Sequence, residues 1–335
     1  NSRLGVTFEY FKKKSSNMLY QKQNIFAIGY PDWNSTVWMN IGSMKASGWE
    51  LSLNWQDKVS DFSYNVGVNL SAVKNRAIKF SGDGPIQTGG FNSDQIIRNE
   101  DGGLISRFYG YVADGIFQNW SEVYAHTNEH GKLIQDKAQP GDIRFKDLNH
   151  DGVLDENDKT WIGNPYPDLM VGLNLGFNYK NFDFSFFVVG FHGFDIYNAT
   201  KQIGFGLIGS QQVAGVTPMR DFLDRWTPTH TNTNVPGFTN GGTENKDFFS
   251  TRFVENGSFI KMKSITLGYT LPELACKALG ISNLRVYASI QNPFHITSYS
   301  GLDPEATMGS PLVQGVDWGA YPNSRNYLIG LNFAF

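Results

Sequence analysis

The stretch Tyr327-Leu328-Ile329-Gly330-Leu331-Asn332-Phe333-Ala334-Phe335 decides the fold. Tyr327, Ile329, Leu331, Phe333 and Phe335 fall on one face of an extended chain; Leu328, Gly330, Asn332 and Ala334 fall on the other. The period is two, with large apolar residues set against mostly small or polar ones, which marks a β-strand between two different surroundings. The same code recurs upstream. Val171, Leu173, Leu175, Phe177 and Tyr179 alternate with Gly172, Asn174, Gly176 and Asn178. Phe62, Tyr64, Val66, Val68 and Leu70 alternate with Ser63, Asn65, Gly67 and Asn69. Trp49, Leu51, Leu53 and Trp55, and likewise Leu4, Val6, Phe8 and Tyr10, repeat it.

Composition says what kind of protein this alternation belongs to. Aromatic residues make up 15% of the 335, charged residues 18%, and there are 36 glycines. No run approaches the ~18 consecutive apolar residues of a transmembrane helix. A soluble protein would have to bury so many rings, whereas a transmembrane β-barrel turns them toward lipid and keeps every second residue in a wet lumen. The runs exceed the ~5–6 residues usual in a soluble sandwich, and Trp, Tyr and Phe gather at their ends as in an interfacial girdle. A net charge of −3 gives no support for a nucleic-acid partner. The single cysteine, Cys276, excludes an internal disulfide. Asn1-Ser2-Arg3 is neither an initiator nor a signal peptide and opens into a strand pattern, so the sequence reads as a portion of a longer chain.

About eight strands are expected: 2–15, 37–56, 61–76, 167–180, 181–195, 257–271, 283–299 and 324–335. Short connections (57–60, the Asn181 hairpin, 272–282) alternate with long ones (16–36, 77–166, 196–256, 300–323). Outer-membrane barrels place short turns in the periplasm and long loops outside. The parity then sends the first strand outward and leaves Phe335 in the periplasm. The long loops, and lumen faces rich in Gly, Asn and Ser, do not suit a small barrel filled by its own side chains. The fold class expected is therefore all-β, a transmembrane antiparallel barrel, with residues 1–335 forming its last third.

Several segments, in order, resemble the SusC/RagA family of TonB-dependent transporters of Bacteroidetes. They are Asn40-Ile41-Gly42-Ser43-Met44 with Gly48-Trp49-Glu50-Leu51, Gly110-Tyr111-Val112-Ala113-Asp114-Gly115-Ile116-Phe117-Gln118, Gln139-Pro140-Gly141-Asp142-Ile143-Arg144-Phe145-Lys146-Asp147 and Ile162-Gly163-Asn164-Pro165-Tyr166-Pro167-Asp168. Further on are Arg225-Trp226-Thr227-Pro228, Gly257-Ser258-Phe259-Ile260-Lys261-Met262-Lys263 with Leu267-Gly268-Tyr269, Leu284-Arg285-Val286-Tyr287, Gln291-Asn292-Pro293-Phe294 and Gly301-Leu302-Asp303-Pro304-Glu305. Pro293 stands where the family usually has Leu. The resemblance implies a 22-stranded barrel around a plug domain that lies upstream of Asn1 and is absent from this chain. It also implies a SusD-like surface lipoprotein capping the extracellular mouth, and energy delivered through TonB by way of the upstream region.

The sharpest local motif is Asp147-Leu148-Asn149-His150-Asp151-Gly152-Val153-Leu154-Asp155-Glu156-Asn157-Asp158. It has the D-x-[DN]-x-[DN]-G spacing of a loop that wraps a hard cation in six to eight oxygens. The expected Ca2+ ligands are Asp147, Asn149 and Asp151, the Val153 carbonyl, Asp155 directly or through water, and Asp158. Asp158 replaces the usual Glu and has a shorter bidentate reach. A turn-rich loop with solvated carboxylates explains the same residues without an ion. No helical pattern flanks the loop, so the ion's expected role is to stiffen the 77–166 connection.

Other candidates are weaker. His126 and His130, at i and i+4, suit a metal only on one helix face and otherwise read as exposed loop residues. Asp303 and Glu305 imitate a glycosidase pair but are expected to be structural. Trp33, Phe108, Tyr109 and Trp120 are loop rings that stack on cargo or pack within the loops. Thr217-Pro218 reads as the cap and first position of a short helix, and 272–279 as a helical turn on the periplasmic side. The function expected is active import of a large nutrient, an oligosaccharide or a peptide, across the outer membrane, with no catalytic residues. The rivals are a passive porin and a soluble secreted calcium-binding β module. An upstream plug and TonB box exclude the first, and dependence on detergent and contact with membrane lipid exclude the second.

Overall fold

The structure, a computed structural model, describes residues 3–23, 36–80, 84–89, 95–204, 219–237, 248–278, 280–305 and 312–335. Eight long strands, β1 (Leu4–Gln23), β2 (Thr36–Val59), β3 (Phe62–Lys79), β4 (Leu169–Tyr179), β5 (Phe182–His192), β6 (Phe259–Thr270), β7 (Asn283–Thr297) and β8 (Asn326–Ala334), pair in chain order as one antiparallel sheet. Two of the short connections are two-residue turns. Ser60 and Lys180 take left-handed φ values of 55° and 51° at their first positions. The third carries the helix Glu273–Ala278, where the sequence placed a helical turn; Leu279 lies outside the described residues.

Register turns the period of two into continuous rows. Phe62, Tyr179, Phe182 and Tyr269 stand opposite one another across β3 to β6. One step further from the turns, Tyr64, Phe177, Phe184 and Leu267 do the same. The rings touch along and across the rows: Phe62 and Phe177 lie 6.0 Å apart, Phe177 and Phe184 6.3 Å, and Phe182 and Tyr269 4.7 Å. Beyond this belt the row is Leu53, Val68, Leu173 and Val188. The face is open, with Ile329 85% exposed, so its apolar surface is not satisfied within the chain.

The opposite face carries small and polar groups. Gly268 lies between Asp183 and Tyr287 in register. A Cβ there would collide with the Asp183 carboxylate and the Arg285 guanidinium. The glycine thus lets Arg285 Nε donate to Asp183 Oδ1 at 2.8 Å across the intervening strand, in the bidentate geometry that suits a guanidinium and a carboxylate.

β1 and β2 run further than their side-chain pattern predicts. Pairing continues from Ser15 through Gln23, past a register shift at Asn17, whose φ is 56°. Lys12 to Asn17 are polar, but a ladder is made by the main chain. At 20 and 24 residues these strands exceed the ~9–11 needed to cross a bilayer, so they project beyond it. The connection expected at 16–36 thereby shrinks to residues 24–35, which lie outside the described residues.

The other long connections gather at the same end of the sheet and pack together. A four-stranded sheet (Ile86–Thr88, Ile97–Asn99, Arg107–Gly110, Thr160–Gly163) and a two-stranded one (Ala113–Ile116, Ile143–Phe145) come from the connection after β3. Asp195–Asn198 pairs with Val254–Asn256 and, in parallel, with Val316–Asp317, joining the connections after β5 and β7. Phe108, Phe145, Tyr197, Phe253 and Val316 share one buried core drawn from all three connections. This cap is an ordinary hydrophobic core placed on the end of a sheet that has none.

Candidate functional site

The strand Ile143–Phe145 leads into the 147–158 loop, and the 3-10 turn Glu156–Asp158 and strand Thr160–Gly163 leave it. Gln135 holds the entry: its Nε2 donates to Ile143 O at 3.1 Å and its Oε1 accepts from Phe145 N at 2.8 Å. The loop closes on itself. Asp158, fully buried, accepts from Leu148 N and Asp155 N, each at 2.8 Å. Asp147 Oδ2 accepts from Gly152 N at 2.8 Å. Gly152 has a φ of 80°, and a Cβ there would strike Asn128, so the sharp turn requires glycine twice over.

The expected ligands are thus brought into one small loop, but their oxygens are engaged locally. Asn149 Oδ1 accepts from Asp151 N, Asp151 Oδ1 from Val153 N, and Asp155 Oδ1 from Asn157 N. Among the described residues no group of three or more His, Cys, Asp or Glu side chains is placed to hold a metal ion. One oxygen stands apart: Asp147 Oδ1 is buried with no hydrogen-bond partner. A cleft of about 610 Å³ lies beside it, lined in part by Asp114, His126, Asn128, Asp147 and His150.

The two histidines do not share a helix face. The helix Trp120–Ala125 is capped by Asn119, whose side chain accepts from Glu122 N at 3.0 Å, and it ends at His126. Burial holds the His126 imidazole below its ordinary range, helped by nearby Arg144. His130 follows on an exposed turn. The loop aromatics divide. Phe108 is fully buried in the cap core. Tyr109 is half-buried, with Arg98 stacked 4.5 Å from its centroid and Trp161 edge-on at 5.3 Å. Trp120 is 51% exposed and stacks on exposed Tyr124 at 5.7 Å. Trp33 lies outside the described residues, as do Thr217 and Pro218; beyond them runs a 3-10 helix, Arg220–Asp224, with Met219 at its cap position and no side-chain cap bond.

Asp303 and Glu305 are engaged by lysines that sequence reading did not connect to them. Lys261 Nζ donates to Asp303 Oδ2 at 2.9 Å and Glu305 Oε2 at 2.8 Å, and Lys263 Nζ pairs with Glu305. Burial alone would push both carboxyls upward; the lysine hydrogen bonds, with Glu305 N and Asn323 N on Asp303, hold both below their ordinary values. The cluster fastens the connection after β7 to the wall. Nearby, Tyr299 donates to Asp317 Oδ2 at 2.6 Å, and burial together with that carboxylate raises the phenol. No local sequence signal announces these partners, because they lie 18 to 44 residues apart.

No family model matches the chain. It is 31% identical, over its whole length, to 33% of TonB-dependent receptor P3 of Formosa agariphila. It is 30% identical, over 91% of its length, to 28% of TonB-dependent receptor SusC of Bacteroides thetaiotaomicron. Among solved structures, the RagAB peptide transporter superposes with a TM-score of 0.76 at 21% identity, over 99% of this chain and 33% of that one. The RagAB peptide importer in its open-open state gives 0.74 at 22%, over 100% and 33%. The chain thus spans about a third of the length of the relatives it matches. With its eight-stranded antiparallel wall and ordered segments, the chain belongs to the SusC/RagA family of TonB-dependent receptors and forms part of their barrel.

Proposed function

We propose that this chain supplies the closing part of the wall, and much of the mouth, of an outer-membrane transporter that imports a large nutrient, an oligosaccharide or a peptide. One observation carries the reading. A single sheet is apolar and unsatisfied on one face, polar on the other, and gathers its long connections at one end. That is the design of a lipid-spanning wall with a structured mouth. The names of the relatives support TonB as the source of energy. In this reading the barrel has 22 strands around a plug, short turns face the periplasm, and a SusD-like lipoprotein docks over the cap. The stacked Trp120–Tyr124 pair offers it, or the cargo, an exposed aromatic contact. Whole cells carrying the full-length protein test the orientation. A membrane-impermeant maleimide should label Trp120→Cys and leave Lys180→Cys untouched. Uptake of the nutrient should cease without TonB; uptake that persists would establish a passive porin instead.

A structural calcium ion in the 147–158 loop is a second proposal. The partnerless, buried Asp147 Oδ1 favours it. The ion would stiffen the connection after β3, with Asp151, Asp155 and Asp158 turning from backbone donors toward the metal.

A further inference from the structure

Among the described residues, the apolar rows of the wall, which include the small Ala72 and Ala288, carry a glycine at one place. On the row Leu70, Val171, Gly190, Ile260 and Ile296, β5 contributes a glycine. Nothing in the backbone demands it. Gly190 has no left-handed φ, and a Cβ would sit 3.5 Å from Phe259 O and 3.6 Å from Ile260 Cγ1, ordinary contact distances. What the glycine does is leave space. Val171 and Ile260 stand two strand spacings apart, roughly 9–10 Å, with no side chain between them. Leu173, Val188 and Ile296 complete the walls of a groove of about 610 Å³. Ile260 is 55% and Ile296 65% exposed, so the groove opens outward on the lipid-facing side.

The groove has two chemically different ends. Toward the belt of rings its walls are entirely hydrocarbon. Toward the cap, the next residues along the strands are His192, Ser258 and Ser298, which supply hydrogen-bonding groups. Gly190 lies eight residues beyond Phe182 of the aromatic row, about 26 Å along the strand. At the tilt of barrel strands this is about 20 Å of height, near the far rim of an apolar band ~25 Å tall. An apolar slot at the rim, continuous with the lipid-facing surface and capped by polar groups, matches an amphiphile standing in one leaflet. We infer that the groove holds an acyl chain of an outer-leaflet glycolipid, with the glycolipid's polar linkage at His192, Ser258 and Ser298.

The inference rests on the orientation proposed above, and the labelling experiment tests that orientation independently of any lipid. The groove itself is tested with the full-length transporter extracted from outer membranes in mild detergent, by native mass spectrometry and lipid analysis. The wild type should retain one glycolipid per barrel. Gly190→Leu, which fills the slot, should lower its occupancy at least tenfold, and Ile296→Ser, which makes a wall polar without burying anything new, should lower it less. Gly190→Ala should retain it. Heat-modifiable electrophoretic mobility checks that each variant folds. Equal retention in the wild type and Gly190→Leu overturns the inference, as does a wild type that retains nothing. A phospholipid in the groove places it in the wrong leaflet, and a dimer that Gly190→Leu dissociates makes the occupant a second copy of the barrel; either result also overturns it.

Discussion

Phe253 and Phe333 have the same side chain and opposite surroundings: one is fully buried in the cap, the other 59% exposed on the wall. The cap obeys the rule of soluble proteins, apolar groups inside against one another. The wall inverts it, because its solvent on that side is hydrocarbon and the chain has no reason to hide the ring. One hydrophobic effect, referred to two solvents, produces both arrangements. The lesson is that exposure has no meaning for stability until the neighbouring medium is named.

The largest expected effect lies in the cap. Phe253→Ala removes a ring from a closed core that includes Tyr197 and Phe249 and should cost the cap about 3–5 kcal/mol. Hydrogen exchange should quicken throughout the three long connections while the wall keeps its heat-resistant mobility. Equal loss in both regions would show that they fold as one unit.

Next comes the fastening between them. Lys261→Met strands the buried Asp303 carboxylate and should cost about 3 kcal/mol, read as protease cleavage between residues 298 and 305. Acid should have the same effect reversibly. Asp303 and Glu305 are held below their ordinary values, so their contribution is complete above about pH 5, where the unfolded carboxyls are also ionised. It is lost as pH falls below about 4, through the depressed folded values. A cleavage rate that does not change between pH 7 and pH 3 would break this account.

The wall sharpens the comparison through its two faces. Leu173→Arg, on the lipid side, should cost roughly 2–4 kcal/mol in a urea titration in lipid vesicles. Asn174→Arg, one residue on and facing the lumen, should cost far less; similar costs would remove the distinction between the faces. The smallest effect is local. Calcium chelation, or Asp147→Ala, should speed cleavage within 147–158 and leave wall melting unchanged. Cleavage that is indifferent to chelator would end the calcium proposal.

The wall was legible in the sequence because its information is local: residues i and i+2 share a face whatever lies far away. Every expected wall strand overlaps an observed one. The miss at Ser16 to Gln23 has the converse cause, since the main chain goes on pairing where side chains carry no pattern. The cap was not legible. Phe108 and Trp120 both read as rings in a long loop; Phe108 is buried because it lies edge-on to Tyr197, 89 residues away, at 6.1 Å. The 147–158 spacing announced a closed turn, and the turn closes. The hydrogen bonds that engage its carboxylates come mostly from backbone N–H groups, which no motif records, with the Asn149 and Asn157 amides adding one each to Asp151 and Asp155.

The short parallel ladder between Tyr197–Asn198 and Val316–Asp317 has a mechanical consequence. It joins two connections that leave the wall at different strands, and Tyr299, Glu255 and Lys261 pin them further. A pull on one connection is therefore shared by its neighbour before either can yield. The cap is stiff against the loss of a single loop, and any opening of it must bend at the places where the connections meet the wall.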